Sequence, residues 1–273
     1  MHRSDVLIIG AGPTGLVLAL WLSKLGVRVR IIDKTSAPGT TSRALAVQAR
    51  TLELYRQLDL ADTVVRNGHK VAAAHFWVKG KPVAQLPLQR IGEGLTPYSF
   101  IEIFPQDQHE RLLLERLEDY DVVVERNTEL ESFEELGDGL TAHLRLPDGQ
   151  QEICQACFLA GCDGARSVVR KTLDTGSPGG TYQQIFYVAD VQASGPALNG
   201  DLHLDLDEAD FLAVFPLAGE GRARLIGTVR DERADRAETL QFADVSRRAI
   251  EHLNVHIDEV NWLSTYRVHH RVA

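Results

Sequence analysis

The sequence predicts an α/β fold in two parts, a largely parallel sheet with helices followed by a mostly antiparallel unit. Two observations indicate this. The first 33 residues have a strand-turn-helix-strand pattern, and most apolar segments after residue 180 have the length of strands. The 44% hydrophobic and 25% charged residues are ordinary for a globular protein and exclude a disordered chain.

The opening segment predicts the first unit of a Rossmann-like domain. Val6–Ile9 is a short continuous apolar run, which is typical of a strand buried on both faces of a parallel sheet. Leu16–Leu25 has helical spacing and ends at Gly26, a common residue at helix ends. Val27–Ile32 alternates between apolar and polar residues and predicts the second strand.

Further elements follow from the same patterns. The remaining predicted helices cover Leu45–Leu58, Gln106–Leu117, Ser167–Leu173 and Thr239–Asn254. A predicted hairpin pairs Val71–Val78 with Pro82–Leu88. The other predicted strands are Val122–Val124, Leu130–Phe133, Leu140–Leu146, Glu152–Ala160, Thr181–Val191, Asp201–Leu206, Phe211–Pro216, Arg222–Val229 and Val260–Val268.

A glycine-rich turn between the first strand and the first helix predicts a dinucleotide site. In the GxGxxG pattern, the glycines permit a tight turn, close approach to a pyrophosphate and close helix–strand packing. Asp33 ends the second strand, where a carboxylate accepts hydrogen bonds from ribose hydroxyls, and Lys34 follows it. The candidate binding residues of the turn and helix start are Gly10, Gly12, Pro13, Thr14 and Gly15. The motif alone does not separate FAD from NAD.

A second motif, Asp163-Gly164-Ala165-Arg166-Ser167, follows an apolar strand and opens a helix. With this motif the chain resembles the FAD-dependent aromatic-ring hydroxylases, the class A flavoprotein monooxygenases of the para-hydroxybenzoate hydroxylase and phenol hydroxylase-like family. The resemblance implies that Asp163 and Gly164 lie near FAD. It also implies FAD contacts from Arg43, from Gln106 at the start of its helix, and from the segment that contains Leu130.

The resemblance implies a glutathione-reductase-type flavoprotein fold: a Rossmann-like FAD-binding domain with a mostly antiparallel substrate domain. We expect a discontinuous FAD-binding domain at residues 1–73 and 102–178. The substrate-binding domain is expected at residues 74–101 and 179–268, and residues 269–273 would begin the return to the first domain. The family's Gly-Asp-Ala-Ala-His segment does not occur in the sequence. We therefore expect a truncated form with impaired activity.

The resemblance further implies a monooxygenase that uses FAD and NAD(P)H and hydroxylates a phenolic or other aromatic substrate. Its reaction would consume O2 and pass through a flavin C4a-hydroperoxide. No residue is nominated as catalytic, because the cofactor carries the difficult chemistry. Two alternatives stay open: a non-catalytic dinucleotide-binding or partner domain, and another flavoenzyme on the same fold, such as a reductase or halogenase.

Charge and composition bear on partners and location. With 38 acidic and 29 basic residues the net charge is −9, which argues against nucleic acid or an anionic membrane as a partner. The longest apolar run, Leu16–Leu22, has seven residues and is too short to span a bilayer. Three cysteines do not form a disulfide framework, so we expect a cytoplasmic protein. Cys154 and Cys157 are interpreted as packing residues, no metal site is predicted, and a homo-oligomer is plausible.

Overall fold

The computed structural model describes residues 3–40, 44–207, 210–229, 240–245 and 247–272. The described α-helices are α1 (Pro13–Lys24), α2 (Ala49–Arg56), α3 (Ala61–Asn67), α4 (Gln106–Glu118), α5 (Val168–Thr172) and α6 (Arg248–His252). The described strands are β1 (Arg3–Ile9), β2 (Val29–Ile32), β3 (Ala46–Val47), β4 (His69–Val71), β5 (Ala73–Val78), β6 (Lys81–Pro87), β7 (Ile101–Ile103), β8 (Val124–Glu125), β9 (Glu129–Leu136), β10 (Gly139–Arg145), β11 (Gln151–Gly161), β12 (Gly179–Ser194), β13 (Leu202–Leu206), β14 (Phe211–Pro216), β15 (Arg222–Val229) and β16 (His256–Arg271).

The chain divides into two compact units, each of which is described by itself. The first unit contains Met1–Ser42, Gln106–Ser177 and Ala273, and the second contains Arg43–Pro105 and Pro178–Val272. These boundaries lie elsewhere than the predicted domain boundaries. In particular, residues 43–73 group with the second unit, although the sequence analysis assigns them to the first domain.

The first unit is built on a six-stranded sheet in the order β8-β2-β1-β11-β10-β9. The pairs of β1 with β2 and β11, and of β2 with β8, are parallel, whereas β10 pairs antiparallel with β11 and β9. Leu7, Ile8, Ile31 and Ile32 are fully buried on the central strands. Because β1, β2 and β11 are parallel, their carboxyl ends meet at one edge of the sheet, which is where such sheets bind ligands.

The second unit is mostly antiparallel, as predicted. Its seven-stranded sheet has the order β16-β12-β15-β14-β13-β5-β6, in which only β13 and β5 pair in parallel among the described strands. Residues of β12, β14 and β15 form a core with α6, in which Tyr187, Ala189 and Leu225 are buried. A separate three-stranded sheet has the order β3-β7-β4. The fold class predicted from the sequence is confirmed.

Several predicted elements differ from the structure. The predicted helix Leu45–Leu58 is wrong at its start: Ala46 and Val47 pair with β7, and α2 begins at Ala49. The predicted helix Thr239–Asn254 falls partly outside the described residues, and its described part contains only a 3₁₀ helix at Phe242–Asp244 and the short α6. The short strands β4 and β7 and the helix α3 were not predicted. In the described ranges, no helix has the length and apolar character needed to cross a bilayer.

Candidate cofactor-binding site

A cavity of about 260 Å³ opens in the first unit at the carboxyl ends of β1, β2 and β11. The described residues that line it are Ile9, Gly10, Gly12, Ile32, Asp33, Lys34, Thr35, Thr128, Glu129, Leu130, Cys162, Asp163, Gly164, Arg166 and Val168. Two segments far apart in sequence, the glycine-rich turn and the Asp-Gly turn, therefore line the same cavity. Seven of the residues predicted to bind a cofactor line this cavity: Gly10, Gly12, Asp33, Lys34, Leu130, Asp163 and Gly164.

The three glycines of the turn have different local roles. Gly10 has a φ of +100°, and a Cβ atom there would lie 2.5 Å from the carbonyl oxygen of Cys162. A Cβ atom at Gly15 would lie 1.9 Å from the carbonyl oxygen of Gly10, so α1 can approach β1 only without one. Gly12 has a φ of −76° and a Cβ atom there would meet nothing within 4 Å. The backbone thus requires Gly10 and Gly15, whereas Gly12 leaves free space at the cavity wall.

Asp33 is held by a set of donors at the end of β2. Its Oδ2 accepts a hydrogen bond from the Ala11 N–H at 2.7 Å. Its Oδ1 accepts from the N–H of Thr35 at 2.8 Å and from the hydroxyl of Thr35 at 2.6 Å. The guanidinium of Arg126 lies 3.9 Å from Oδ1. Burial acts to raise the pKa of Asp33, but these hydrogen bonds and the arginine charge outweigh it and hold the pKa below its usual value.

Asp163 lines the cavity and also accepts hydrogen bonds from the first residues of α5. Its Oδ2 accepts hydrogen bonds from the N–H groups of Val168 at 2.6 Å and Val169 at 3.3 Å, which caps the helix. The hydroxyl oxygen of Ser167 accepts from the Arg170 N–H at 3.0 Å. In contrast, Oδ1 of Asp163 is buried and has no hydrogen-bond partner among the described residues. A buried acceptor without a partner is costly, so a ligand that donates to Oδ1 would remove this cost.

The residues of the cavity fit a dinucleotide such as FAD. The N-terminus of α1 offers backbone N–H groups and the positive end of the helix dipole to a diphosphate, and Gly12 leaves room for its approach. Lys34 and Arg166 add positive charge to the lining. Asp33 and the unpartnered Oδ1 of Asp163 are two acceptors for hydroxyl groups.

The other predicted site residues lie apart from this lining or outside the described ranges. Pro13 and Thr14 are the first residues of α1, directly after Gly12. Gln106 begins α4, donates a hydrogen bond from Nε2 to Glu110 Oε1 at 2.7 Å, and is not among the described lining residues. Arg43 lies outside the described residues.

Sequence reasoning did not nominate Thr35, which lines the cavity, or Arg126, which lies behind it. Thr128 and Arg166 also line the cavity; they stand within the segment before Leu130 and within the Asp-Gly motif, respectively, but neither was itself named as a cofactor-binding residue. One local signal was available for Thr35: an aspartate side chain often accepts a hydrogen bond from the backbone N–H two residues later in a tight turn. The approach of Arg126 depends on the pairing of β2 with β8 and had no local signal.

The sequence matches one protein family over nearly its whole length. Residues 3–273 match the family described as FAD binding domain. The chain is 34% identical over 270 residues to 6-methylpretetramide 4-monooxygenase of Streptomyces rimosus, covering 98% of this chain and 48% of that protein. It is 28% identical over 271 residues to pentachlorophenol 4-monooxygenase of Sphingobium chlorophenolicum, covering 98% of this chain and 50% of that protein. The chain spans about half the length of the curated relatives it matches.

Solved structures share the fold. The flavin-dependent monooxygenase PieE in complex with FAD and substrate aligns with a TM-score of 0.82 and 25% identity, covering 99% of this chain and 50% of that one. The p-nitrophenol 4-monooxygenase PnpA from Pseudomonas putida DLL-E4 aligns with a TM-score of 0.86 and 23% identity, covering 99% and 69%, and shows the likeness of fold. The chain therefore belongs to the FAD-binding domain family of the FAD-dependent aromatic hydroxylases, which are oxidoreductases with FAD as their cofactor.

Proposed function

We propose that the cavity of the first unit binds FAD and that the chain contributes this site to a monooxygenase acting on a phenolic or other aromatic substrate. The observation that carries the proposal is the joining of the glycine-rich turn, Asp33 and Asp163 around one cavity. In this assignment Gly10, Gly12, Pro13, Thr14 and Gly15 bind the diphosphate, and Asp33 binds the ribose of the adenosine. Asp163, Gly164, Lys34, Leu130, Arg43 and Gln106 complete the set of cofactor contacts.

The substrate class is proposed from the relatives. Two of them act, by their names, on 6-methylpretetramide and on pentachlorophenol. Bound FAD, reduced by NAD(P)H, supplies the activation of O2 for transfer of one oxygen atom to an aromatic ring. The residues of this chain contribute binding and orientation of the dinucleotide through the contacts described above. We also propose a cytoplasmic location. We further propose that copies of the chain associate, and light scattering would measure their molar mass in solution.

Gly12→Val tests FAD binding directly. Gly12 has an extended backbone that any residue adopts, and its Cβ direction is open, so the variant should fold with an unfolding midpoint close to that of the wild type. Its added methyl groups would occupy the space that a diphosphate needs. We expect the dissociation constant for FAD, measured from flavin fluorescence, to rise at least about tenfold.

Ala84→Val is the matched control, since it adds methyl groups at an exposed position of β6. It should bind FAD like the wild type. If the wild type takes up no FAD, the proposal is wrong; equal FAD binding by Gly12→Val would show that the cofactor does not approach this wall. Oxidation of NADPH or NADH that phenols stimulate, with a hydroxylated product, supports the monooxygenase. FAD binding without such turnover supports a non-catalytic dinucleotide-binding domain instead.

A further inference from the structure

The two carboxylate oxygens of Asp33 are in different states. A carboxylate oxygen accepts about two hydrogen bonds. Oδ1 already accepts two, from the N–H and the hydroxyl of Thr35 at 2.8 and 2.6 Å. Among the described residues, Oδ2 accepts one, from Ala11 N–H at 2.7 Å. Oδ2 is therefore the oxygen of Asp33 with capacity to accept from a ligand in the cavity.

The neighbours of the Thr35 hydroxyl determine the oxygen to which it donates its proton. It has one proton and two acceptors in reach, Asp33 Oδ1 at 2.6 Å and the carbonyl oxygen of Ala37 at 3.0 Å. A charged carboxylate is the stronger acceptor, and its distance is shorter. Arg126 donates to the hydroxyl oxygen of Thr35 from Nη1 at 3.4 Å. The chain of donors thus runs from Arg126 through Thr35 to Asp33.

The backbone around Thr35 does not depend on its hydroxyl. The N–H of Asp33 donates to the carbonyl oxygen of Glu125 at 2.9 Å, and the N–H of Thr128 donates to the carbonyl oxygen of Asp33 at 3.1 Å. The N–H of Asn127 donates to the carbonyl oxygen of Thr35 at 3.2 Å. These three bonds connect residues 33–35 to residues 125–128. Replacement of Thr35 by the isosteric valine should therefore remove the hydroxyl and leave the loop in place.

We propose that Thr35 is a positioning residue for Asp33, with Arg126 behind it: its hydroxyl occupies Oδ1 and so presents Oδ2 to a ribose with free hydroxyl groups. Thr35 then determines specificity for the sugar of the adenosine half of the ligand. The inference rests on the proposed FAD site and deepens it. Without the hydroxyl, Oδ1 would have free capacity and would compete with Oδ2 for the ribose hydroxyl. The carboxylate would also lose one of the hydrogen bonds that fix its orientation.

The test compares two probes, ADP and 2′,3′-dideoxy-ADP, as competitors of FAD. The ratio of their dissociation constants measures what the ribose hydroxyls contribute. We expect the wild type to prefer ADP, and Asp33→Asn to lose most of that preference. Thr35→Val should reduce the ratio about fivefold, the size of one hydrogen bond. Thr35→Ser should restore the ratio, because serine supplies the same hydroxyl. Thr141→Val on β10, at a position outside the described cavity lining, should leave the ratio unchanged.

The outcomes separate this inference from the proposed function. If Thr35→Val raises the dissociation constants of both probes equally and leaves their ratio unchanged, the role of Thr35 is structural and the inference is wrong. A wild type that binds FAD but does not distinguish the two probes also overturns the inference and leaves FAD binding standing. A wild type that binds neither FAD nor ADP overturns both.

Discussion

The buried carboxyl group of Glu102 gives a pH-dependent contribution to stability that can be measured. Glu102 lies in the middle of β7 with 0% of its surface exposed, and neither of its carboxylate oxygens has a hydrogen-bond partner among the described residues. Its side chain packs against Gly68, where a Cβ atom would lie 2.1 Å from Oε1. Lys70 is its cross-strand neighbour on β4, and the ammonium of Lys70 lies 4.6 Å from the centre of the Phe100 ring.

Burial raises the pKa of Glu102 from its usual 4.5 to about 7, although the charge of Lys70 opposes the shift. Between these two pH values the folded chain holds a proton that the unfolded chain releases. The contribution of Glu102 to the free energy of unfolding is then highest below about pH 4.5 and is lost as the pH rises through 7. A shift from 4.5 to about 7 corresponds to roughly 3 kcal/mol.

Glu102→Gln removes this titration and keeps the shape of the side chain. We expect the variant to unfold with nearly the free energy of the wild type near pH 4.5, and to be more stable by up to about 3 kcal/mol at pH 8. Urea unfolding followed by circular dichroism across this pH range measures the difference. Subtracting the free energy of unfolding of the wild type from that of the variant cancels the contributions of other titrating groups. His109 and His203 are two such groups: burial lowers their pKa to about 4, so their contribution to stability is lost as the pH falls.

The control is Glu134→Gln, which makes the same chemical change at an exposed position of β9. Its difference from the wild type should not vary with pH by more than a few tenths of a kcal/mol. If Glu102→Gln and the wild type show parallel pH dependence, Glu102 ionises normally in the folded chain. The reasoning from its burial would then be refuted.

Two further predictions concern the stability of the first unit. Ser167→Ala removes the cap on the Arg170 N–H and should lower the free energy of unfolding by about 1 kcal/mol in urea titrations, whereas Ser167→Asp, which also caps, should lower it less. Arg30 donates to Glu125 at 2.8 and 2.7 Å and to Glu152 at 2.7 and 2.9 Å. Arg30→Met should lower the free energy of unfolding by about 2 kcal/mol, and this decrease should be smaller in high salt. A decrease below about 0.5 kcal/mol would contradict the role assigned to these bonds.

Much of the first unit could be predicted because its signals are local. The apolar run of β1, the glycine-rich turn, α1 and Asp33 follow one another within 33 residues, and each has a conformational preference that neighbours in sequence determine. The Asp-Gly turn before α5 has the same local character. The strands β3, β4 and β7 were not predicted, because their signals are not local. They have two or three residues each and are strands only through their pairing with one another.

The fold class, the family resemblance and seven residues that line the cavity could be predicted because they depend on residue types at fixed spacings. Several of the groups that surround those residues come from distant parts of the chain and are known from the three-dimensional structure alone. Arg126 reaches Thr35, which lies 91 residues earlier in the sequence, because β8 pairs with β2. Its guanidinium then adds a positive charge 3.9 Å from Oδ1 of Asp33. The burial of Glu102 likewise depends on neighbours from separate strands. Such contacts are set by packing in three dimensions, which no local pattern encodes.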